Sequence, residues 1–295
     1  MLRKGDLTQG GITGTLLHFT LPMLVGSFLQ QCYNIADTLI VGQCIGAGAL
    51  AAVGSAYTLM VFLISVLLGL AMGSGTVFSL HYGAGNHVAL RRSIFSSFAL
   101  IGIVTLILNV VVFIWLDPIL RLLQVPQDIY GMMRSYLWII FCGIVFTFIY
   151  NFYASLLRAV GDSVTPIWFL AVSVVLNIAL DLFFILQLDW GIQGAAAATV
   201  LAQGVAALGI IIYTYRRRPE LRWHHEDMCF DRTCLKEIAS FSTLTCVQQS
   251  VMNLGILMVQ GLVNSFGTAV MAAFAAAVKI DSFAYMPVQE FGDAF

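Results

Sequence analysis

The stretch VVLNIALDLFFIL, residues 174–186, sets one amide and one carboxylate, Asn177 and Asp181, among eleven apolar residues. Read as a helix, it stacks the two polar side chains on one face, because positions four apart are neighbours on a helix surface. The surrounding apolar run, roughly 166–188, meets the length of about 20 residues needed to cross the hydrocarbon of a bilayer. An acid at such a depth costs about 2.5–3.5 kcal/mol at a span centre, and somewhat less away from it. The chain must therefore gain something from Asp181.

The composition extends this reading to the whole chain. Of 295 residues, 60% are hydrophobic and 10% charged, with a mean hydropathy of +0.91. A soluble domain has about 45–50% apolar and about 25% charged residues. Too little polar surface exists to keep a globule of this size dispersed in water, so the protein resides in the membrane. The net charge of −1 offers no basic field for nucleic acid. The six cysteines, Cys32, Cys44, Cys142, Cys229, Cys234 and Cys246, mostly lie in apolar segments as small hydrophobes and form no secreted-type disulfide framework. The polar start MLRKGDLTQGGITG lacks the short apolar core and small-residue cleavage site of a signal peptide.

Apolar runs long enough to span occur at roughly 16–41, 50–80, 93–116, 131–155, 166–188, 192–215, 238–263 and 268–295. Lipid leaves no backbone group to water, so each is expected to be a helix, and continuous apolarity excludes a barrel. The expected fold is an all-α polytopic membrane protein: a six-helix N-terminal lobe (1–215), a linker (216–234) and two further helices (235–295). Eleven Lys and Arg fall on one side: Arg3, Lys4, Arg91, Arg92, Arg158, Arg216, Arg217, Arg218, Arg222, Arg232 and Lys236. Only Arg121 and Arg134 fall on the other. The positive-inside rule then makes the N-terminus and the linker cytoplasmic, in a multi-pass protein of the cell membrane.

On this map Asp37 lies near the outer end of the first span. Asp181 lies about seven residues, or roughly 10 Å, from the outer end of the fifth. Tyr136 and Thr199 fall in the outer halves of the fourth and sixth spans. Two acids at matched depth suggest one shared polar chamber, able to hold a proton or to accept Na⁺ with oxygen ligands. Against this stand an interhelical glue role for Asn177 and an aromatic-belt role for Tyr136.

An internal echo is also present. The pairs Gln30–Gln31 and Gln248–Gln249, and the asparagines Asn34 and Asn253, recur at a separation near 218–219. Six spans precede the second copy, so the two share orientation, as parallel transporter repeats do. Only two spans of that copy are present, and the expectation is a fragment lacking four more, with a natural half-transporter as the alternative. In the linker, HHEDMC (224–229) with Cys234 fits no tetrahedral metal spacing. His81 and His87 read as interface residues, and GAG at 83–85 lacks the context of a nucleotide loop.

Several segments in order resemble the multidrug and toxic compound extrusion (MATE) family. They are Pro22 in the first span, GLAMGSGTVFSLHYGAGN (69–86), LLRAVGDSVTPIW (156–168), NIALD (177–181) and WGIQGAAAATVLAQ (190–203). The resemblance implies a secondary antiporter of two six-helix lobes, exporting organic cations or drugs in exchange for H⁺ or Na⁺ by alternating access. It implies no cofactor and no enzymatic activity. It implies the bilayer and a small organic cation or drug as partners, no nucleic acid, and a monomer when full length. It also implies that Asp37, Asn177, Asp181, Tyr136 and Thr199 form the cation-coupling site, with Na⁺ if bound at Asp37, Asn177 and Asp181, and that Pro22 is a hinge. A departure from some relatives is the absence of an acid in the seventh span, where Gln248, Gln249 and Asn253 are uncharged; Asp281, Glu290 and Asp293 decorate the eighth. A lipid-linked oligosaccharide flippase of the same superfamily is the alternative, wanting a cationic chamber. An intramembrane enzyme is a third reading, with His18 the one histidine inside a confident span.

Overall fold

Each apolar run becomes helix, because a helix satisfies its own backbone hydrogen bonds where water is absent. The computed structural model describes residues 12–223 and 232–294. In chain order the helices are α1 (Ile12–Cys44), α2 (Ala47–Gly83), α3 (His87–Leu122), α4 (Gln127–Cys142), α5 (Ile144–Ala159), α6 (Val164–Leu182), α7 (Gly191–Arg217), α8 (Arg232–Asn264) and α9 (Thr268–Ala294). A π-helical turn, Phe183–Gln187, prolongs α6, and a short 3₁₀ turn, Pro219–Leu221, follows α7. The 224–229 motif and Cys229 lie outside the described residues. So do Arg3 and Lys4, and the side chains of His18, Lys279, Glu290 and Asp293.

Five helices are long and apolar enough to cross a membrane among the described residues, and the bent pair α4–α5 makes a sixth. The expected single span at 131–155 is thus corrected to two helices meeting at 51°. The break falls at Gly143, where an added Cβ would lie 2.5 Å from a Val200 methyl. Only a residue without a side chain lets this backbone press so close to α7. Helices α1 and α9 cover the first and last of the expected runs. Within its apolar run α1 carries a polar line: Gln30, Gln31, Asn34 and Asp37. Helix α1 runs through Pro22 without interruption.

The lipid-facing surface is written most plainly on α3. Ile103, Leu106, Ile107, Val110, Ile114 and Trp115 are all exposed, a stripe that water would not tolerate on a monomer. The opposite face of α3 buries Ile94, Ile101, Val112 and Leu116. At the arginine-rich end of the bundle, Phe95 and Phe98 pack against Trp223 just beyond α7. At that end Asn86 caps α3 by accepting from the Ala89 amide at 3.1 Å, and Asp162 caps α6 through the Thr165 amide at 3.1 Å.

Helix α8 packs lengthwise against α2, and small residues permit the approach. A Cβ on Gly73 would sit 2.4 Å from the Ser242 backbone, and one on Gly69 would sit 2.7 Å from the Cys246 backbone. Towards the other end the contact turns polar. Asn264 accepts from Ser55 Oγ (3.3 Å) and Gln260 Nε2 (2.8 Å), while its Nδ2 donates to the Leu123 carbonyl at 2.8 Å. Thr58 Oγ1 donates to Gln260 Oε1 at 3.2 Å. At the arginine-rich end, His81 Nε2 meets Glu237 Oε2 at 3.3 Å, which puts His81 in a helix–helix contact. The echoed asparagines also behave alike. Asn34 donates back to Gln31 Oε1 at 3.2 Å, and Asn253 to the Gln249 carbonyl at 2.9 Å; both are buried.

Two outcomes follow. Ile107→Lys, which sets a charge near the middle of the lipid face of α3 where Ile107 is 59% exposed, costs about 2.5–3.5 kcal/mol of insertion; a glycosylation-tag insertion assay should show the third span partly failing to insert. Gly73→Val forces α8 off α2 and destabilises by about 1–3 kcal/mol, read as a lowered Tm in detergent, whereas Gly83→Ala, where a Cβ meets nothing within 4 Å, leaves Tm near the parent value.

Candidate functional site

The sequence places Asp37 seven residues before Cys44 at the end of α1, and Asp181 six residues before Gln187 at the end of the π turn. Tyr136 follows the start of α4 by nine residues, and Thr199 follows the start of α7 by eight. All four therefore lie about 9–14 Å from the same end of the bundle at 1.5 Å per residue. Depth alone does not make a site; the helices must also turn these faces toward each other.

They do so for α1, α6 and α7. Asp181 is 0% exposed, Asn177 1% and Asp37 8%. The Asp37 and Asp181 carboxyls lie within hydrogen-bonding reach of each other. The amide of Asn177 has two orientations of equal shape, and hydrogen bonding decides between them. With its nitrogen toward α6, it donates to Asp181 Oδ2 at 2.8 Å, and its oxygen accepts from the Thr199 backbone amide (3.1 Å) and hydroxyl (3.3 Å). The reverse orientation would turn the amide oxygen toward a carboxylate oxygen. Thr199 Oγ1 also lies 3.3 Å from the hydroxyl of Tyr33, so one threonine ties α7 to both α6 and α1. Tyr136 is buried within Coulombic range of Asp37, Tyr33 and Asp181.

The electrostatic consequence is direct. Two carboxylates at hydrogen-bonding distance in a dry interior cannot both carry charge unless a cation or a proton intervenes, since burying one ion costs several kcal/mol. Asp181 Oδ1 receives no donor among the described residues, and no Lys, Arg or His pairs with Asp181 there. The open lone pairs on Asp181, with the Tyr33 and Thr199 hydroxyls beside them, make a set of hard oxygen donors suited to H⁺ or Na⁺.

Three features of the site escaped sequence reasoning. Tyr33 is one: it stands four residues before Asp37, so the same stacking argument that joined Asn177 to Asp181 would have found it. The π turn is another, beginning two residues after Asp181; such turns carry no composition signal and collect at functional sites. The third is the Gly143 break, which brings α5 against α7 so that Thr147 bonds to Gln203. Below Thr199, on the arginine-rich side, α1, α5, α6 and α7 enclose a cavity of about 100 Å³ that reaches Ala206.

Comparison with known proteins agrees with this architecture. A family model described as MatE matches residues 22–183, 162 of the 295 residues. The probable multidrug resistance protein YpnP of Bacillus subtilis is 31% identical over 99% of this chain and 65% of its own length. The multidrug export protein MepA of Staphylococcus saprophyticus is 31% identical over 68% of this chain and 45% of its own. Among solved structures, a MATE transporter of Vibrio cholerae superposes with a TM-score of 0.82 at 26% identity, covering 95% of this chain and 63% of that one. A multidrug resistance MATE family transporter in an outward-facing conformation gives 0.86 at 23%, covering 99% and 64%. The chain thus spans less than two thirds of the length of these relatives. Matched across more than half of its residues and folded alike over nearly all of them, the chain belongs to the MatE family, the multidrug and toxic compound extrusion proteins.

Proposed function

We propose that the protein is a secondary antiporter that exports organic cations in exchange for H⁺ or Na⁺, and that Asp37, Asn177, Asp181 and Thr199 form the coupling site together with Tyr33. Tyr136 forms the wall of that site. The observation that carries this reading is the pair of facing carboxyls, buried, with one oxygen of Asp181 lacking a donor. Names of relatives support the substrate class: they describe multidrug resistance and multidrug export proteins.

The mechanism rests on a single electrostatic exchange. With the outer side open, the empty acid pair is charged and draws a cation. A proton or Na⁺ arriving from outside neutralises it, and a bound organic cation then loses the attraction that held it in the lobe. Neutralisation also alters the contact of α1 with α6 and α7, which runs through Asp37 and through the Tyr33–Thr199 bond. Pro22 lies on the cytoplasmic side of these residues in α1, and its missing N–H leaves one fewer backbone bond to resist bending there. Rocking of the lobes then releases the ion inside. A flippase acting on a lipid-linked pyrophosphate would want a cationic chamber; the cavity lining here is hydroxyl, amide and aliphatic, with no Lys or Arg among the residues around it.

Export of ethidium from proteoliposomes under separate H⁺ and Na⁺ gradients tests this reading. Asp181→Asn should abolish gradient-driven export while ethidium still equilibrates. Tyr33→Phe, which removes one hydrogen bond of about 0.5–1.5 kcal/mol, should weaken the apparent affinity for the coupling ion by about 2- to 10-fold. Full gradient-driven export by Asp181→Asn would refute the assigned role.

A further inference from the structure

Below the acid pair, α6 keeps a polar stripe that neither lipid contact nor packing requires. Counting from Asp181 toward the N-terminus of α6, Asn177, Ser173, Pro166 and Asp162 stand four, eight, fifteen and nineteen residues away. The spacings within α6 hold one face of a helix of 3.6 residues per turn over about 22 Å, and Asp162 lies in the turn just before the helix. Helix α7 answers with Thr199, Gln203, Ala206 and Tyr213, again along one face. Helix α5 adds Thr147, Tyr150 and Asn151, and α1 adds Gln30.

Along this stripe polar groups follow one another in three stages. The first is the acid site itself, ending at the Thr199 and Tyr33 hydroxyls, 3.3 Å apart. The second is the cavity of about 100 Å³, which begins at those two residues and is crossed by the Thr147–Gln203 hydrogen bond. Its size decides what it can hold. Drug sites run to about 300–1,000 Å³, and one water needs only about 10–15 Å³ of such space, so the cavity has room for several waters and is small for a drug-sized ligand. The third stage starts at its floor. Tyr150 donates to the Pro166 carbonyl at 3.1 Å, and next to Pro166 the Thr165 hydroxyl donates to Asp162 Oδ2 (2.9 Å) and meets the Tyr213 hydroxyl at 3.3 Å. Arg218, beyond the end of α7, reaches Asp162 Oδ2 at 3.4 Å. These last groups belong to the arginine-rich end.

We propose that this stripe is a proton exit route inside the N-terminal bundle, carrying the coupling proton from Asp181 to the cytoplasm without passing between the two lobes. The inference rests on the antiport reading above, with H⁺ as the coupling ion. The O–H bond of the Asp181 carboxyl breaks, the carboxylate is restored, and the proton passes through the water and hydroxyl groups of the cavity to cytoplasmic water; nothing is oxidised or reduced. Tyr150, bonded to the Pro166 carbonyl, stands at the inner end of the cavity and supplies a hydroxyl there. Such a route lets the substrate pathway and the ion pathway share an entrance at the acid pair and part beneath it.

The test uses right-side-out proteoliposomes of the protein containing pyranine and ethidium, with acid imposed outside, and two shape-conserving variants, Thr147→Val and Tyr150→Phe. Each removes a hydroxyl from the route and none from the acid site. The expected result is that proton arrival in the lumen slows by about tenfold in each, that ethidium affinity at equal pH on both sides stays at the parent value, and that Thr147→Ser restores the flux. Should both variants deliver protons at the parent rate, the route is overturned and the antiport reading stands. Export driven by Na⁺ alone, with no proton flux in the parent, likewise overturns the route only. Loss of all gradient-driven export in the parent overturns the antiport reading itself.

Discussion

A carboxylate facing a second carboxylate inside a lipid-embedded bundle is the interaction on which the site's architecture turns. Desolvating one such group costs several kcal/mol, and a like charge beside it adds to that cost. The protein offsets part of it with directed donors. Asn177 presents its amide hydrogens to Asp181 and its oxygen to Thr199, and Thr199 holds Tyr33 in turn. Three helices are thereby pinned at one depth by neutral groups. The remaining part of the cost is left uncompensated, and an open oxygen on Asp181 is its visible form. A small cation or a proton would offset that remaining cost.

That arrangement depends on backbone irregularities placed around it. The break at Gly143 turns α5 toward α7 and fits a glycine against Val200, the neighbour of Thr199. The π turn after Leu182 changes the rotation of the last part of α6, and within it Phe184 stacks on Trp190 with ring centres 5.1 Å apart. Regular helices would leave Asp181 and Thr199 at the right depth but with less control of their facing. The irregularities settle the facing.

The contact between α2 and α8 obeys different physics. Lipid gives no hydrophobic drive for two apolar helices to associate, so close backbone approach and hydrogen bonds must supply it. Gly69 and Gly73 provide the approach near one end, and the Ser55–Thr58–Gln260–Asn264 cluster provides the bonds near the other. Both devices can be remade after a small slide or tilt, unlike a dry interlocked core.

Much of this was legible in the sequence. Apolar length fixed which segments are helices and that they lie in a membrane, because lipid allows the backbone no other satisfied state. The spacing of Asn177 and Asp181 fixed their common face, since helix geometry is local, and counting from span ends placed Asp37, Tyr136 and Thr199 at one level. The sequence could not say which way each helix turns about its own axis, because that is set by contacts between residues far apart in the chain. Only the tertiary structure therefore brought Tyr33 to Thr199, bent the fourth span at Gly143 and opened a cavity beneath the acids. Depth is written along a single helix; facing is decided between helices, where close packing and the cost of a buried unpaired charge leave few arrangements open.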